Sequence, residues 1–468
     1  MERAKLIAFS NSEEIVRIGE RKKRELILRS FKAAVEAAQP EYLFKNRIRV
    51  VNDRMLVVSG TRIRLNLRNF DKLIVVGAGK ASGGMAVALE SILAPSVDLV
   101  GAITVLKGTA RRYSTRHIAL NEARHPKPSI SGVRATQKIV RLLQSATPDS
   151  LVICLISGGG SSLMCLPADE VTLHEKTKVT DLLLKSGASI EKINCVRKHL
   201  SRIKGGQLPA FANGATVLAL IISDIVGNPL ESIASGPTVG DPTTFSQALS
   251  ILEEYGLDKI VSKKVTTRLK KGSSGLIPET PKPGSALFRS VYNVLVGDNA
   301  LACKAATGEL RKSVSPVYLL GSGWQGEARE IGRDLGSMMV SVVNRGLGSS
   351  FRLPCAFVWG GETTVTVRGR GVGGRNQEEA MGALESIKER KGICIGFLGS
   401  DGKDGKSNAA GAIVDYATFR SALRNKVRPE IYLENNDSHN FFRKIGGSLL
   451  NTGPTGTNVT DIGIAVVS

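Results

Sequence analysis

A chain of 468 residues with 42% apolar and 23% charged side chains is too long for one ordinary core and too apolar for a disordered or fibrous protein. The formal net charge of +22 admits nucleic acid, an acidic membrane or small anions as partners. Aromatics make up only 5%, however, and no helix-turn-helix, zinc-finger or RNP-type pattern accompanies the basic residues. That excludes a base-stacking surface and leaves a solvated basic surface that attracts anionic small molecules, with no nucleic acid and no membrane as partner.

The longest apolar runs, 151–156 and 216–222, are far shorter than a bilayer-spanning helix. The first residues mix Arg3, Lys5 and Arg17 with Glu2, Glu13, Glu14 and Glu20, unlike an acid-poor transit peptide. Six cysteines without CxxC spacing read as buried thiols in a reducing compartment. The expected setting is cytoplasmic, with the mitochondrion as the alternative, and the expected state is a monomer or homodimer.

In chain order, an apolar run at 72–76 predicts a strand, and 81–92 has helical spacing. Strands follow at 99–105, 151–156 and 216–222, with helices at 130–143 and 173–185. A Gly-, Ser- and Pro-rich stretch at 271–286 predicts a linker. Beyond it come strands at 291–296, 355–359 and 393–398, with helices at 300–311 and 375–387. Strand, Gly-rich turn and helix in alternation predict an α/β fold, and runs apolar throughout predict largely parallel sheets buried on both faces. The expected division is an N-terminal extension 1–24, a first domain 25–270, the linker 271–286 and a second domain 287–468.

Ligands of open α/β sheets bind beyond the carboxyl ends of the strands, so the turns there carry the candidate chemistry. The best phosphate cradle is Ser157-Gly158-Gly159-Gly160-Ser161-Ser162, where glycines let backbone N–H groups turn onto an anion. The turn after 72–76, Gly77-Ala78-Gly79-Lys80-Ala81-Ser82-Gly83, fits neither the dinucleotide fingerprint nor the P-loop. Its Lys80 is placed to hold a γ-phosphoryl group or a carboxylate. Asp401 and Asp404, set among glycines, are oxygen ligands suited to Mg²⁺ beside substrate phosphates. Asp224, closing an apolar strand, requires a partner: a cation, a metal or a substrate hydroxyl. Arg375, at the start of a helix after Gly373-Gly374, suits bidentate binding of a carboxylate or phosphate. His125 and His199 lack metal-ligand spacing and read as structural or anion-contacting.

Several of these segments, taken together, resemble the glycerate kinases of the MOFRL type, also called class II glycerate 2-kinases. They are Val75–Ala81 (VVGAGKA), 155–162 (LISGGGSS), 193–201 (INCVRKHLS), 222–227 (ISDIVG) with 233–238 (IASGPT), 360–365 (GGETTV), 373–378 (GGRNQE), Asp401-Gly402 with Ala409-Ala410-Gly411, and 453–458 (GPTGTN). They run in order from about residue 25 to the C-terminus. The resemblance implies two α/β/α sandwich domains, Rossmann-like and MOFRL-type, with the active site in the cleft between them. It also implies transfer of the ATP γ-phosphoryl to the 2-hydroxyl of D-glycerate, with Mg²⁺. The family's active-site lysine and arginine map onto Lys80 and Arg375, and Asp224 is the expected group orienting or deprotonating the 2-hydroxyl. Lys198 and Glu362, inside the matching segments, are candidate substrate contacts. The acidic loop departs from the family at Asn408, where a carboxylate is usual. The rival readings are a nicotinamide-dependent oxidoreductase acting on a small hydroxy acid, and a non-enzymatic anion binder.

Overall fold

The structure, a computed structural model, describes residues 7–93, 97–345 and 351–468; Glu2, Arg3 and Lys5 lie outside them. The chain forms two compact units. One comprises Leu43–Ser223 with Asn228–Val296; the other comprises the described part of Met1–Tyr42 with Asp224–Gly227 and Gly297–Ser468.

The first unit is built on a six-stranded sheet in the order Ile118–Ala123, Leu99–Leu106, Lys72–Ala78, Ser150–Ile156, Thr216–Ile222 and Val291–Gly297. Its registered pairs among the first five strands are all parallel. Ser150–Ile156 is buried along its whole length, which explains why it reads as an unbroken apolar run without alternation. Helix Ile130–Gln144 starts where the Ser129 side chain accepts the Gly132 N–H, and Leu173–Lys185 starts on a capping box of Thr172 and Glu175. A separate three-stranded antiparallel sheet, Ile48–Val51, Met55–Val58 and Arg64–Asn66, precedes the main one.

The second unit has six strands in the order Val317–Leu319, Cys355–Gly361, Asp461–Val467, Ile393–Gly399, Gly411–Asp415 and Leu449–Leu450. The α/β reading holds, but this sheet is mixed where a largely parallel one was expected. Only the first pair is parallel: Asp461–Val467 runs antiparallel between Cys355–Gly361 and Ile393–Gly399, and the two pairs beyond are antiparallel as well. Both faces are covered. A Cβ on Gly396 would lie 2.8 Å from Phe31 of helix Arg21–Ala37. The next residue, Phe397, points the other way, into a cluster with Trp359 and with Ala380 and Met381 of helix Arg375–Ile387.

Two expected boundaries move. Residues 1–24 are not a mere extension. Arg24 is fully buried, paired with Asp415 through Nε at 2.7 Å and Nη2 at 2.9 Å, and bonded to the Ile15 and Gly447 carbonyls. The whole helix Arg21–Ala37 belongs to the second unit, because its apolar face covers that unit's sheet. The 271–286 stretch is not a free linker either. The Thr280 hydroxyl donates to Asp241 at 3.0 Å, Glu279 accepts the Phe245 N–H at 2.8 Å, and the Asp241 N–H donates to the Pro281 carbonyl at 2.9 Å. The units change over at Val296/Gly297 instead. Among the described residues no helix is long and apolar enough to cross a membrane.

Candidate active site

In the first unit the turns after Lys72–Ala78 and Ser150–Ile156 lie side by side and are stitched together. The Lys80 N–H donates to the Gly158 carbonyl at 2.8 Å. The Ser157 hydroxyl accepts the Ala81 N–H at 3.0 Å and lies 3.3 Å from the Ser82 hydroxyl. The approach is so close that a Cβ on Gly77 would sit 2.1 Å from the Leu155 carbonyl oxygen, and one on Gly79 would sit 2.0 Å from Ser157 Oγ. These glycines are required by packing of one turn on the other. Their spacing is therefore no sign of a dinucleotide.

Gly159 adopts φ = 78°, a conformation that glycine reaches without strain. Gly160 then packs against Ala234, where a Cβ would come within 2.9 Å of the Ala234 Cβ. The backbone N–H groups of Gly158, Gly159 and Ser161 have no protein acceptor among the described residues. Backbone N–H groups are obligatory donors, so a run of open ones on a Gly-rich turn is an anion cradle. Lys80 flanks it: its Cγ lies 3.4 Å from the Cβ position of Gly159, and His125 borders the same position at 3.0 Å. The other two serines are engaged locally. Ser157 is the stitch just described, and the Ser162 hydroxyl donates to the Gly159 carbonyl at 3.1 Å.

In the second unit Arg375 opens helix Arg375–Ile387. Its guanidinium grips Asp461 through Nε and Nη2 and donates from Nη1 to Glu362 at 2.7 Å. Three of its five N–H groups are thus used, leaving two for a ligand. The side chain is 31% exposed, with Glu362 at 39% and Asp461 at 9%. Burial works against the Arg375 charge, but Asp461 and Glu362 raise its pKa above the ordinary value, so it stays cationic. Burial pushes Asp461 up to about 6, with Arg375 opposing the shift. Glu379 is raised well above the carboxylate range by burial and by the neighbouring Asp461 charge, and it accepts the Thr363 hydroxyl at 2.6 Å. Asp224 belongs to this unit and accepts from Asn458 Nδ2 at 3.1 Å.

The acidic loop divides. Asp401 is half-buried, and its Oδ1 accepts the Lys403 N–H at 3.1 Å. Asp404, expected as a metal ligand, has a different task. It is 2% exposed, and its two oxygens accept the Asn376 N–H (3.1 Å), the Gln377 N–H (2.9 Å), Gln377 Nε2 (2.8 Å) and Asn376 Nδ2 (3.4 Å). It anchors the N-terminus of the helix that carries Arg375. Asp404→Ala should lower stability by roughly 1–3 kcal/mol in urea unfolding, the cost of orphaning buried donors; a loss under about 0.5 kcal/mol would contradict the anchoring role.

Mg²⁺ is tested by the same geometry. Among the described residues no three His, Cys, Asp or Glu side chains gather to hold a metal. Asp401 alone fits the pattern of an ion held chiefly by substrate phosphates and water with one protein carboxylate.

Lys198 is likewise not presented to a substrate: it is 4% exposed and donates to buried Asp241 at 3.2 Å. His199 packs beside that pair, its Nδ1 at 2.8 Å from the Cys195 carbonyl and its pKa lowered by burial. Sequence reasoning missed Asp461 and Glu379, which gather around Arg375. Asp461 had a signal, since a carboxylate directly precedes the apolar run 462–467 just as Asp224 follows one.

A domain of unknown function, DUF4147, matches residues 26–270, and the MOFRL family matches residues 355–461. The chain is 38% identical over 447 residues to a glycerate 2-kinase of Pyrococcus horikoshii, covering 95% of this chain and 97% of the relative. This chain belongs to the MOFRL-type glycerate 2-kinases. It is similar in structure to a glycerate kinase of Thermotoga maritima, with a TM-score of 0.81 and 35% identity, covering 95% of this chain and 99% of that one. A protein of Agrobacterium vitis named putative hydroxypyruvate reductase is also 38% identical, over 94% of this chain and 93% of its own length.

Proposed function

We propose that this protein transfers the γ-phosphoryl group of ATP to the 2-hydroxyl of D-glycerate, giving 2-phospho-D-glycerate and ADP. The observation that carries the phosphoryl chemistry is the cradle of open N–H groups at Gly158, Gly159 and Ser161 beside Lys80; the acceptor follows the relatives, a glycerate 2-kinase and a glycerate kinase. Phosphoryl transfer asks for positioning and charge neutralisation more than for covalent help. The cradle takes nucleotide phosphate oxygens, and Lys80 neutralises the transferring group. Arg375, held rigid by Asp461 and Glu362, offers its two remaining N–H groups to the glycerate carboxylate or the γ-phosphoryl. Asp224, oriented by Asn458, accepts the 2-hydroxyl proton. Asp401 would hold Mg²⁺ carried on the nucleotide phosphates, and the ion would supply neutralisation of phosphate charge. The buried thiols suit a reducing compartment, in keeping with a cytoplasmic enzyme.

The name of the Agrobacterium relative favours a second reading, reduction of a 2-oxo acid by a nicotinamide. Against it, the glycines at the end of Lys72–Ala78 are accounted for by the packing of Leu155 and Ser157. The two readings separate in one pair of assays. Glycerate-dependent release of ADP from ATP is expected, without oxidation of NADH or NADPH by hydroxypyruvate. Nicotinamide turnover without ADP release would reverse the assignment.

A further inference from the structure

Lys204 lies buried behind the phosphate cradle. It is 2% exposed, and its ammonium donates to Ser161 Oγ at 3.0 Å and to the Ala234 carbonyl at 3.3 Å. Among the described residues no carboxylate lies within ion-pair distance of it. A buried cation without a counter-ion costs free energy, a cost that an anion bound beside it would offset. Ser161, whose hydroxyl Lys204 contacts, belongs to the cradle of open N–H groups. We propose that Lys204 is a positioning residue of the phosphate loop, acting through the Ser161 hydroxyl when ATP is bound. The inference rests on the kinase reading above.

The hydrogen-bond directions support it. As an ammonium Lys204 can only donate, so in that form Ser161 Oγ accepts from it and turns its own proton elsewhere. Ser235 Oγ lies 2.8 Å from Ser161 Oγ and donates its own proton to Asn194 Oδ1 at 3.3 Å. The Ser161 proton therefore rests on Ser235 and is free to rotate onto a phosphate oxygen, while Lys204 supplies positive charge behind it. The backbone that presents Ser235 is itself unusual. Ala234 and Ser235 hold φ of 52° and 62°, left-handed values that cost non-glycine residues free energy and gather at functional segments. Ala234 is also the residue against which Gly160 packs.

The titratable groups facing Lys204 are Lys176 on helix Leu173–Lys185, Arg197 on helix Ile190–His199, and the Cys165 thiol. Burial lowers its pKa most, Lys176 and Arg197 add to that and Cys165 opposes it, bringing it to about 7. Its charge thus fades as pH rises through neutrality unless an anion sits in the cradle.

The test is steady-state kinetics of K204M, S161A and the double variant against the wild type between about pH 6 and 9, with thermal melts to confirm folding. K204M is expected to lower kcat/KM for ATP by on the order of 10- to 100-fold, typical for loss of a group that orients a binding residue, mainly through KM. Wild-type kcat/KM is expected to fall above about pH 7, and its absence would overturn the proposal; the limb should vanish in both single variants, and S161A should add little to K204M in the double variant. Independent, multiplying effects in the double variant, or a folded K204M with unchanged KM for ATP, would overturn the proposal. If K204M does not fold, S161A decides: a limb unchanged in S161A overturns the proposal and a lost limb supports it. Wild type without kinase turnover would overturn the kinase reading and this inference together, whereas active wild type with insensitive variants would overturn the inference alone.

Discussion

Arg375→Ala is expected to cut turnover of ATP and D-glycerate by on the order of 10²–10³, and Lys80→Ala by the same order, as loss of a charge-stabilising group at the reacting centre does. For Arg375 the reasoning is geometric. Its guanidinium is fixed on one edge by Asp461 and on another by Glu362, so its remaining donors point from a rigid plane and lose little entropy on binding. Arg375→Lys should not restore activity, because a single ammonium cannot bridge Asp461 and Glu362 and still face a ligand. The measurement is kcat at saturating substrates, with a melt to separate chemistry from unfolding now that Asp461 would lose its counter-charge. Turnover within a few-fold of wild type in both alanine variants would remove these residues from the mechanism.

Arg24→Ala should cost about 3–5 kcal/mol of stability, the usual penalty for stranding one partner of a buried ion pair. Both side chains of the Arg24–Asp415 pair are 0% exposed. The variant leaves Asp415 charged in the core together with the unsatisfied Ile15 and Gly447 carbonyls. Burial alone would raise the Asp415 pKa; Arg24 and the surrounding N–H donors more than reverse this and hold it below the usual aspartate value. Its contribution is therefore present above the unfolded pKa and is lost as pH falls through the lower folded one. Urea unfolding near neutrality should show the full deficit, and the gap to wild type should narrow only in acid. A deficit under about 1 kcal/mol would mean that water reaches this pair.

The sheet strands were legible because burial on both faces leaves an apolar run that no solvent-facing alternation interrupts. Ser150–Ile156 and Thr216–Ile222 show this, and helices Leu173–Lys185 and Arg375–Ile387 were equally plain from their spacing. The strand order of the second sheet was hidden. Asp461–Val467 is the last strand in the chain, yet it pairs with both Cys355–Gly361 and Ile393–Gly399, a register set by long-range packing alone. The same limit explains the N-terminal helices: an apolar face does not name the sheet it will cover.

At the candidate site, chain position drew attention to Lys80, Arg375 and the Gly-rich loop, because each ends a strand or begins a helix. It misread Asp404 and Lys198, since a carboxylate between glycines and a lysine beside a histidine look the same whether they face a ligand or a buried partner. Asn376 and Gln377 in one case, and Asp241 in the other, decide the matter only in three dimensions. Lys204 was silent for the same reason. Only its burial against Ser161 gives it a role.

The most direct test is the phosphorus NMR spectrum of the product formed from ATP, Mg²⁺ and D-glycerate. Transfer to the 2-hydroxyl places phosphorus next to a carbon bearing a single proton, so the new resonance should be split into a doublet as ADP accumulates. A triplet, from phosphorus next to the methylene carbon, would show transfer to the 3-hydroxyl and contradict the assignment. Absence of any new phosphorus resonance would contradict the phosphoryl-transfer account as a whole.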